Sequence, residues 1–157
     1  MVAVIGVGNY LLGDDGFGIH VIRKMQGIME FSGVKIVDAM TNPVMLLEAM
    51  DGEDKVIIVD AIDTGDKEGV VDYRFNPKKD DFPSDVMLSI HDMHFKDLII
   101  MARDVYELPE EVVIVGVKPE KIEPCLELSD RCRKYIDDVI DFIKREISVN
   151  STQKMDR

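Results

Sequence analysis

Eight residues, IDTGDKEG at positions 62–69, separate two runs that both read as β-strand: KVIIVDA at 55–61 and VVDYRF at 70–75. A parallel crossover needs about a dozen residues or more, usually carrying a helix. The link is too short for that, so the fourth strand is expected to turn back on the third as an antiparallel hairpin. Any fold of strictly alternating parallel strands and helices is thereby disfavoured.

The other strands are spaced for crossovers. Residues 2–7 form an apolar run that suits a strand buried on both faces. Phe17, Ile19, Val21, Ile22 and Met25 recur at helical spacing, giving a helix over about 16–26, followed by a second strand at 34–38. Asn42 and Pro43 read as the cap and first turn of a helix ending before Gly52. A loop with Pro77 and Pro83 leads to a short run at 87–90, and HDMHFKDLIIMARDV then reads as a helix that buries Met93, Leu98, Ile99 and Ala102. Residues 111–117 are a fifth strand. A closing helix over 129–147 carries Cys132, Tyr135, Ile136, Val139, Ile140, Ile143 and Ile147 as an apolar stripe. The expectation is an α/β three-layer sandwich: a five-stranded, mostly parallel sheet with one antiparallel strand and helices on both faces. Residues 1–147 are expected to form one domain and 148–157 a frayed tail.

Thirty-one acidic against 19 basic residues give a net charge of −12, which argues against nucleic acid as a partner. No apolar run approaches the roughly 20 residues that cross a bilayer, so no membrane insertion is expected. The opening MVAVIGVG reads as a strand rather than a signal peptide, so a cytoplasmic location is expected. Cys125 and Cys132 lack metal-type spacing and read as reduced.

In such a sheet, sites form beyond the carboxyl ends of the parallel strands. Polar residues collect there: Asn9, Asp14 and Asp15 after the first strand, Asp38 after the second, Asp60 and Asp63 after the third, Lys118 after the fifth, with His91 and His94 at a helix start. A single aspartate there is most often a cap, and a single histidine at a helix start has many uses. Several converging carboxylates raise one another's pKa unless a cation joins them. Two carboxylates and an imidazole would suit Zn, Ni or Fe(II). His20, inside the first helix, reads as structural or exposed.

The turn GVGNYLLGDDG at 6–16 admits three readings. A dinucleotide loop requires G-x-G-x-x-G, and only Gly6 and Gly8 are present, with Asp14 and Asp15 facing any phosphate. A response-regulator receiver, a signalling module, would use the acidic pair, Asp60 and Lys118-Pro119, but has no short link after its third strand. The third reading is a metal site. Gly6 and Gly8 would then let the backbone turn, Asn9 would bond loop backbone, and Asp14 would cap the helix.

Gly6-Val7-Gly8-Asn9, Asp14-Asp15-Gly16-Phe17-Gly18, Val59-Asp60-Ala61 with the hairpin after it, Ser89-Ile90-His91-Asp92, and Gly116-Val117-Lys118-Pro119-Glu120 with Glu123-Pro124 resemble the hydrogenase maturation protease family over residues 2–145. The resemblance implies an endopeptidase that removes the C-terminal extension of a [NiFe] hydrogenase large-subunit precursor after nickel insertion. It implies that Asp15, Asp60 and His91 bind the nickel carried by that substrate, a site that Zn or Cd could occupy in vitro. It also implies a part for Asp38 in cleavage or substrate recognition, so that Asp38, Asp15 and Asp60 are the catalytic candidates. This chain departs from many relatives in the loop Asp38-Ala39-Met40-Thr41, where they carry glycine or cysteine next and glycine before the threonine. An inactive metal-binding relative would share the same ligands. No G-x-S-x-G is present and neither cysteine falls near the histidines, so covalent catalysis is not expected.

Overall fold

The computed structural model describes residues 1–79, 88–89 and 94–155. Strands β1 (Val2–Val7), β2 (Lys35–Met40), β3 (Lys55–Ala61), β4 (Val71–Phe75) and β5 (Glu111–Val117) form one sheet in the order β2-β1-β3-β5-β4. The β1–β2, β1–β3 and β3–β5 pairs are parallel, and β4–β5 is antiparallel. The helices are α1 (Phe17–Met25), α2 (Pro43–Met50), α3 (Phe95–Ala102), α4 (Asp130–Arg133) and α5 (Ile136–Met155).

The expected hairpin is not formed. β4 is antiparallel, but its partner is β5, which lies between it and β3. An eight-residue link reaches at most about 26–29 Å, ample to cross two strand spacings of about 4.8 Å each and leave a slot for one strand. Ile62 N–H donates to Val117 O (2.9 Å), which carries the β3–β5 ladder into the link. Hydrophobicity decides which strand takes the slot. Residues Val112 to Val117 of β5 are all buried, whereas β4 alternates, with Asp72 and Arg74 exposed, a pattern that fits an edge. Residues 62–69 contain no helix, and that excludes the receiver topology.

Alternate residues of the strands feed two cores. On one face Ala3, Ile5, Val7, Val56, Ile58, Val112 and Ile114 pack with α2 and α3. On the other, Val2, Val4, Ile57, Val59, Val113 and Val115 pack with α1 and with Val139, Ile140 and Ile143 of α5. Asn42 caps α2, its Oδ1 accepting from Val44 N (2.9 Å) and Met45 N (3.3 Å). Two helices differ from their sequence pattern. α3 runs from Phe95, with His94 as its N-cap in extended backbone rather than inside the helix, and Met93, expected on its buried side, lies outside the described residues. Phe95, Leu98, Ile99 and Ala102 are its buried side. The closing helix is interrupted at residues 134–135, and its second part runs on to Met155, past the end of the apolar stripe. Its first part is tied elsewhere: Ser129, the N-cap of α4, is also held by Asp14. No helix among the described residues is long and apolar enough to cross a membrane. Both cysteines are free, Cys125 exposed and Cys132 buried.

Candidate functional site

β1 and β3 bring two carboxylates to one residue. Asp60, at the end of β3, is fully buried; its Oδ1 accepts from Ala61 N (2.8 Å) and its Oδ2 from Ser89 N (2.5 Å). Asp15, in the 3-10 turn Gly13–Gly16, accepts from Asn9 N through Oδ2 (2.9 Å) and from Ser89 Oγ through Oδ1 (2.7 Å). Ser89 thus bridges them, donating its N–H to one and its hydroxyl to the other. Burial pushes the Asp60 carboxyl well above the usual carboxylate range, and the Asp15 charge pushes it the same way, against the opposing pull of the Ser89 and Ala61 N–H groups. No described Lys or Arg forms an ion pair with either aspartate.

Close backbone contacts make room for this arrangement. Gly8 has φ +138°, and a Cβ there would meet Asp15 O at 2.0 Å and Asp60 Oδ1 at 3.4 Å. A Cβ at Gly116 would meet Asp60 O at 1.9 Å. A side chain at either position would displace one of the two aspartates. Gly6, also expected in the turn, stays inside β1, paired with Asp38 and Val59. Asn9 does bond the loop, its Oδ1 accepting from Leu11 N (2.9 Å).

Asp14 is not the helix cap. The N-cap of α1 is Gly16, without a side-chain bond. The buried Asp14 carboxylate instead accepts from Glu120 N, Lys121 N, Ser129 N and Ser129 Oγ at 2.8–2.9 Å, fastening the loop after β5 to the turn that carries Asp15. Burial alone would raise its pKa, but these donors outweigh that and hold the carboxyl below its ordinary value.

Asp38 lies on β2 opposite Gly6, where the β1–β2 register shifts, and its Oδ1 accepts from Met40 N (2.9 Å). Met40 O in turn accepts from Gly8 N (2.8 Å), which joins this loop to the turn beneath Asp15. Asp63 and Lys118 serve the 62–69 link: Asp63 Oδ1 accepts from Gly65 N (3.1 Å), and Lys118 Nζ donates to Gly65 O (2.6 Å). His20 is half-buried, its ring 4.8 Å from that of Tyr10, as suits a structural residue. His91 lies outside the described residues.

Among the described residues no three His, Cys, Asp or Glu side chains converge as a metal-binding group. The donor set in view is two carboxylates with an uncompensated charge, an arrangement that a divalent cation would relieve. Ser89 was missed by sequence reasoning. It stands in the stretch Ser89-Ile90-His91-Asp92 but was given no role there, and only the fold shows that it touches both aspartates.

Residues 19–146 match the family model described as hydrogenase maturation protease. The hydrogenase expression/formation protein HoxM of Cupriavidus necator is 30% identical over 124 residues, which span 78% of this chain and 61% of that protein. The chain therefore spans about three fifths of such relatives. A Methanocaldococcus jannaschii protein assigned to the hydrogenase maturation proteases is 31% identical, over 93% of this chain and 96% of its own. Among solved structures, the hydrogenase maturating endopeptidase HybD of Escherichia coli superposes with a TM-score of 0.71 at 25% identity, covering 90% of this chain and 88% of HybD. A hydrogenase 2 maturation peptidase from a Thaumarchaeota archaeon shares the fold, with a TM-score of 0.70 at 23% identity over 93% and 97% of the two chains.

Proposed function

The chain belongs to the hydrogenase maturation protease family, and on that premise we propose that it is an endopeptidase acting on a [NiFe] hydrogenase large-subunit precursor, removing its C-terminal extension once nickel has been inserted. The observation that carries this reading is the pair Asp15 and Asp60, held together by Ser89 at the carboxyl edge with no Lys or Arg among the described residues paired to either. In this proposal the precursor's own nickel occupies the space facing the pair, with His91 as the third ligand. An empty precursor would leave the charge of the pair unrelieved, so the site discriminates loaded from unloaded substrate.

Asp60 is suited to this role because it is rigid: both of its oxygens are already anchored by N–H donors and can still offer their remaining lone pairs. Asp15 is less buried and closes the other side. Asp38 spends Oδ1 on Met40 N and keeps Oδ2 for a water or for the amide of the scissile bond. Nickel would supply Lewis acidity to the scissile carbonyl. The chain supplies position: Ser89 orients both carboxylates, and Asp14 fixes the segment that carries Asp15.

The test is a processing assay on nickel-loaded precursor, with nickel-free precursor as the control. Wild-type protein is expected to release the C-terminal peptide from the loaded form only, and Asp60→Ala and His91→Ala to release none. Cleavage of both precursor forms at equal rates would overturn recognition of the metal. Variants as active as wild type would overturn the ligand assignment.

A further inference from the structure

Met40 is the only non-glycine among the described residues with φ in the left-handed region, at +52°. Side chains adopt that conformation at a cost, because Cβ crowds the following carbonyl, and it persists in a fold only where the surroundings impose it. Here the backbone imposes it. Met40 N is held by Asp38 Oδ1 (2.9 Å), Met40 O is held by Gly8 N (2.8 Å), and the strand register shifts at this point. Both bonds use main-chain atoms of residue 40, so glycine would make them equally well and without strain.

The fold gains little from the side chain. It is 53% exposed and belongs to neither core. Its place is nevertheless well defined. Met40 O holds Gly8, and Gly8 packs directly against the backbone of Asp15 and the carboxylate of Asp60. The main chain that carries this flexible, polarizable and exposed apolar side chain is thus bonded to the turn that packs against both aspartates, on the same short loop as Asp38. Methionine adapts its shape to varied apolar partners.

We infer that Met40 is a specificity-determining residue, whose thioether side chain packs against an apolar side chain of the substrate next to the bond being cut. The inference rests on the proposed function. It adds that the substrate is apolar at this position, and that the strained backbone at residue 40 is kept because it aims the side chain outward.

The experiment compares wild type with Met40→Gly, Met40→Gln and Met40→Leu on nickel-loaded precursor. Met40→Gly should melt at or above the wild-type temperature, since relief of strain offsets the added freedom of the unfolded chain. Its kcat/KM should fall about tenfold, the loss expected when one apolar side chain no longer finds its pocket. Met40→Gln, nearly the same shape but polar, should fall similarly, with the change in KM; Met40→Leu should stay within about twofold of wild type. Wild-type kcat/KM in both Met40→Gly and Met40→Gln would overturn the inference. So would a melting temperature several degrees lower in Met40→Gly, which would give the side chain a role in the fold. A wild-type protein that leaves the precursor intact would defeat the proposed function instead, and peroxide footprinting then decides Met40 separately. Protection of Met40 from oxidation by bound precursor supports the contact, and an unchanged oxidation rate overturns it.

Discussion

The two ends of the sheet handle buried charge in opposite ways. At the amino end, Lys55 is 2% exposed and its Nζ lies 2.6 Å from Glu146 and 3.7 Å from Glu111, while Arg74 pairs with both glutamates. Every charge there has an opposite, and α5 is thereby fastened to β3, β4 and β5. At the carboxyl end Asp60 is as deeply buried as Lys55, and its nearest described charge is another carboxylate. The first arrangement is complete among the described residues, whereas no described Lys or Arg pairs with the second. Burial of charge alone therefore does not mark a candidate site; burial with no counter-charge among the described residues does.

The largest expected effect tests the complete end. Lys55→Ala should lower unfolding free energy by about 3–5 kcal/mol, because it leaves Glu146 and Glu111 without their buried partner. Urea denaturation measures this, and a loss below about 1 kcal/mol would make the network a surface feature. Processing by the folded fraction should be unchanged, since nothing at the carboxyl edge moves.

Next in size is Asp14→Asn, expected to cost about 1.5–3 kcal/mol for hydrogen bonds to a charged acceptor. An amide nitrogen in place of either oxygen would face a backbone N–H, because Oδ1 accepts from Ser129 N and Oδ2 from Glu120 N and Lys121 N. The sign of the pH effect follows from the depressed pKa. A lowered folded pKa gives stability that is present above the unfolded value and lost as pH falls through the folded one. The deficit of Asp14→Asn should thus be full at neutral pH and shrink below about pH 4. A deficit constant down to pH 3 would mean that the charge of Asp14 contributes nothing.

The same contrast explains how much could be read from the chain. Hydrophobic patterning located all five strands, because burial on one face or two leaves its mark in every strand, and the short link gave the antiparallel sense of the fourth. It did not place β5 between β3 and β4. A short link suits a hairpin and an intervening strand equally, and only the continuous apolar run of β5 and the alternating VDYRF mark interior and edge. At the site, Asp15 and Asp60 were legible as polar residues at strand ends. The role of Ser89 and that of Asp14 were not, since both depend on contacts 74 to 115 residues apart in sequence. The amino-end network went unnoticed for the same reason. Lys55 reads as an ordinary strand-start lysine until Glu146 is brought beside it.

The smallest expected effect is a difference of slope between the two ends. Glu146 is held below its ordinary pKa, chiefly by Arg74 and also by Lys55, so its stabilising charge is present at neutral pH and lost on acidification. Asp60 is raised, so folding favours its protonated form; its ionised form burdens the fold above the folded pKa, and the burden vanishes below the unfolded one. Between about pH 4.5 and 7 Glu146→Gln should therefore keep a constant gap to wild type, which closes only as pH falls further. Asp60→Asn should gain on wild type as pH rises over the same range, whatever constant offset its altered hydrogen bonds impose. Each unit of pKa displacement corresponds to about 3–5 °C in melting temperature for a chain of this size. Melting curves of the three proteins across that range check both slopes. Parallel slopes would mean that Asp60 already has its counter-charge within the chain, and the contrast between the two ends would fail.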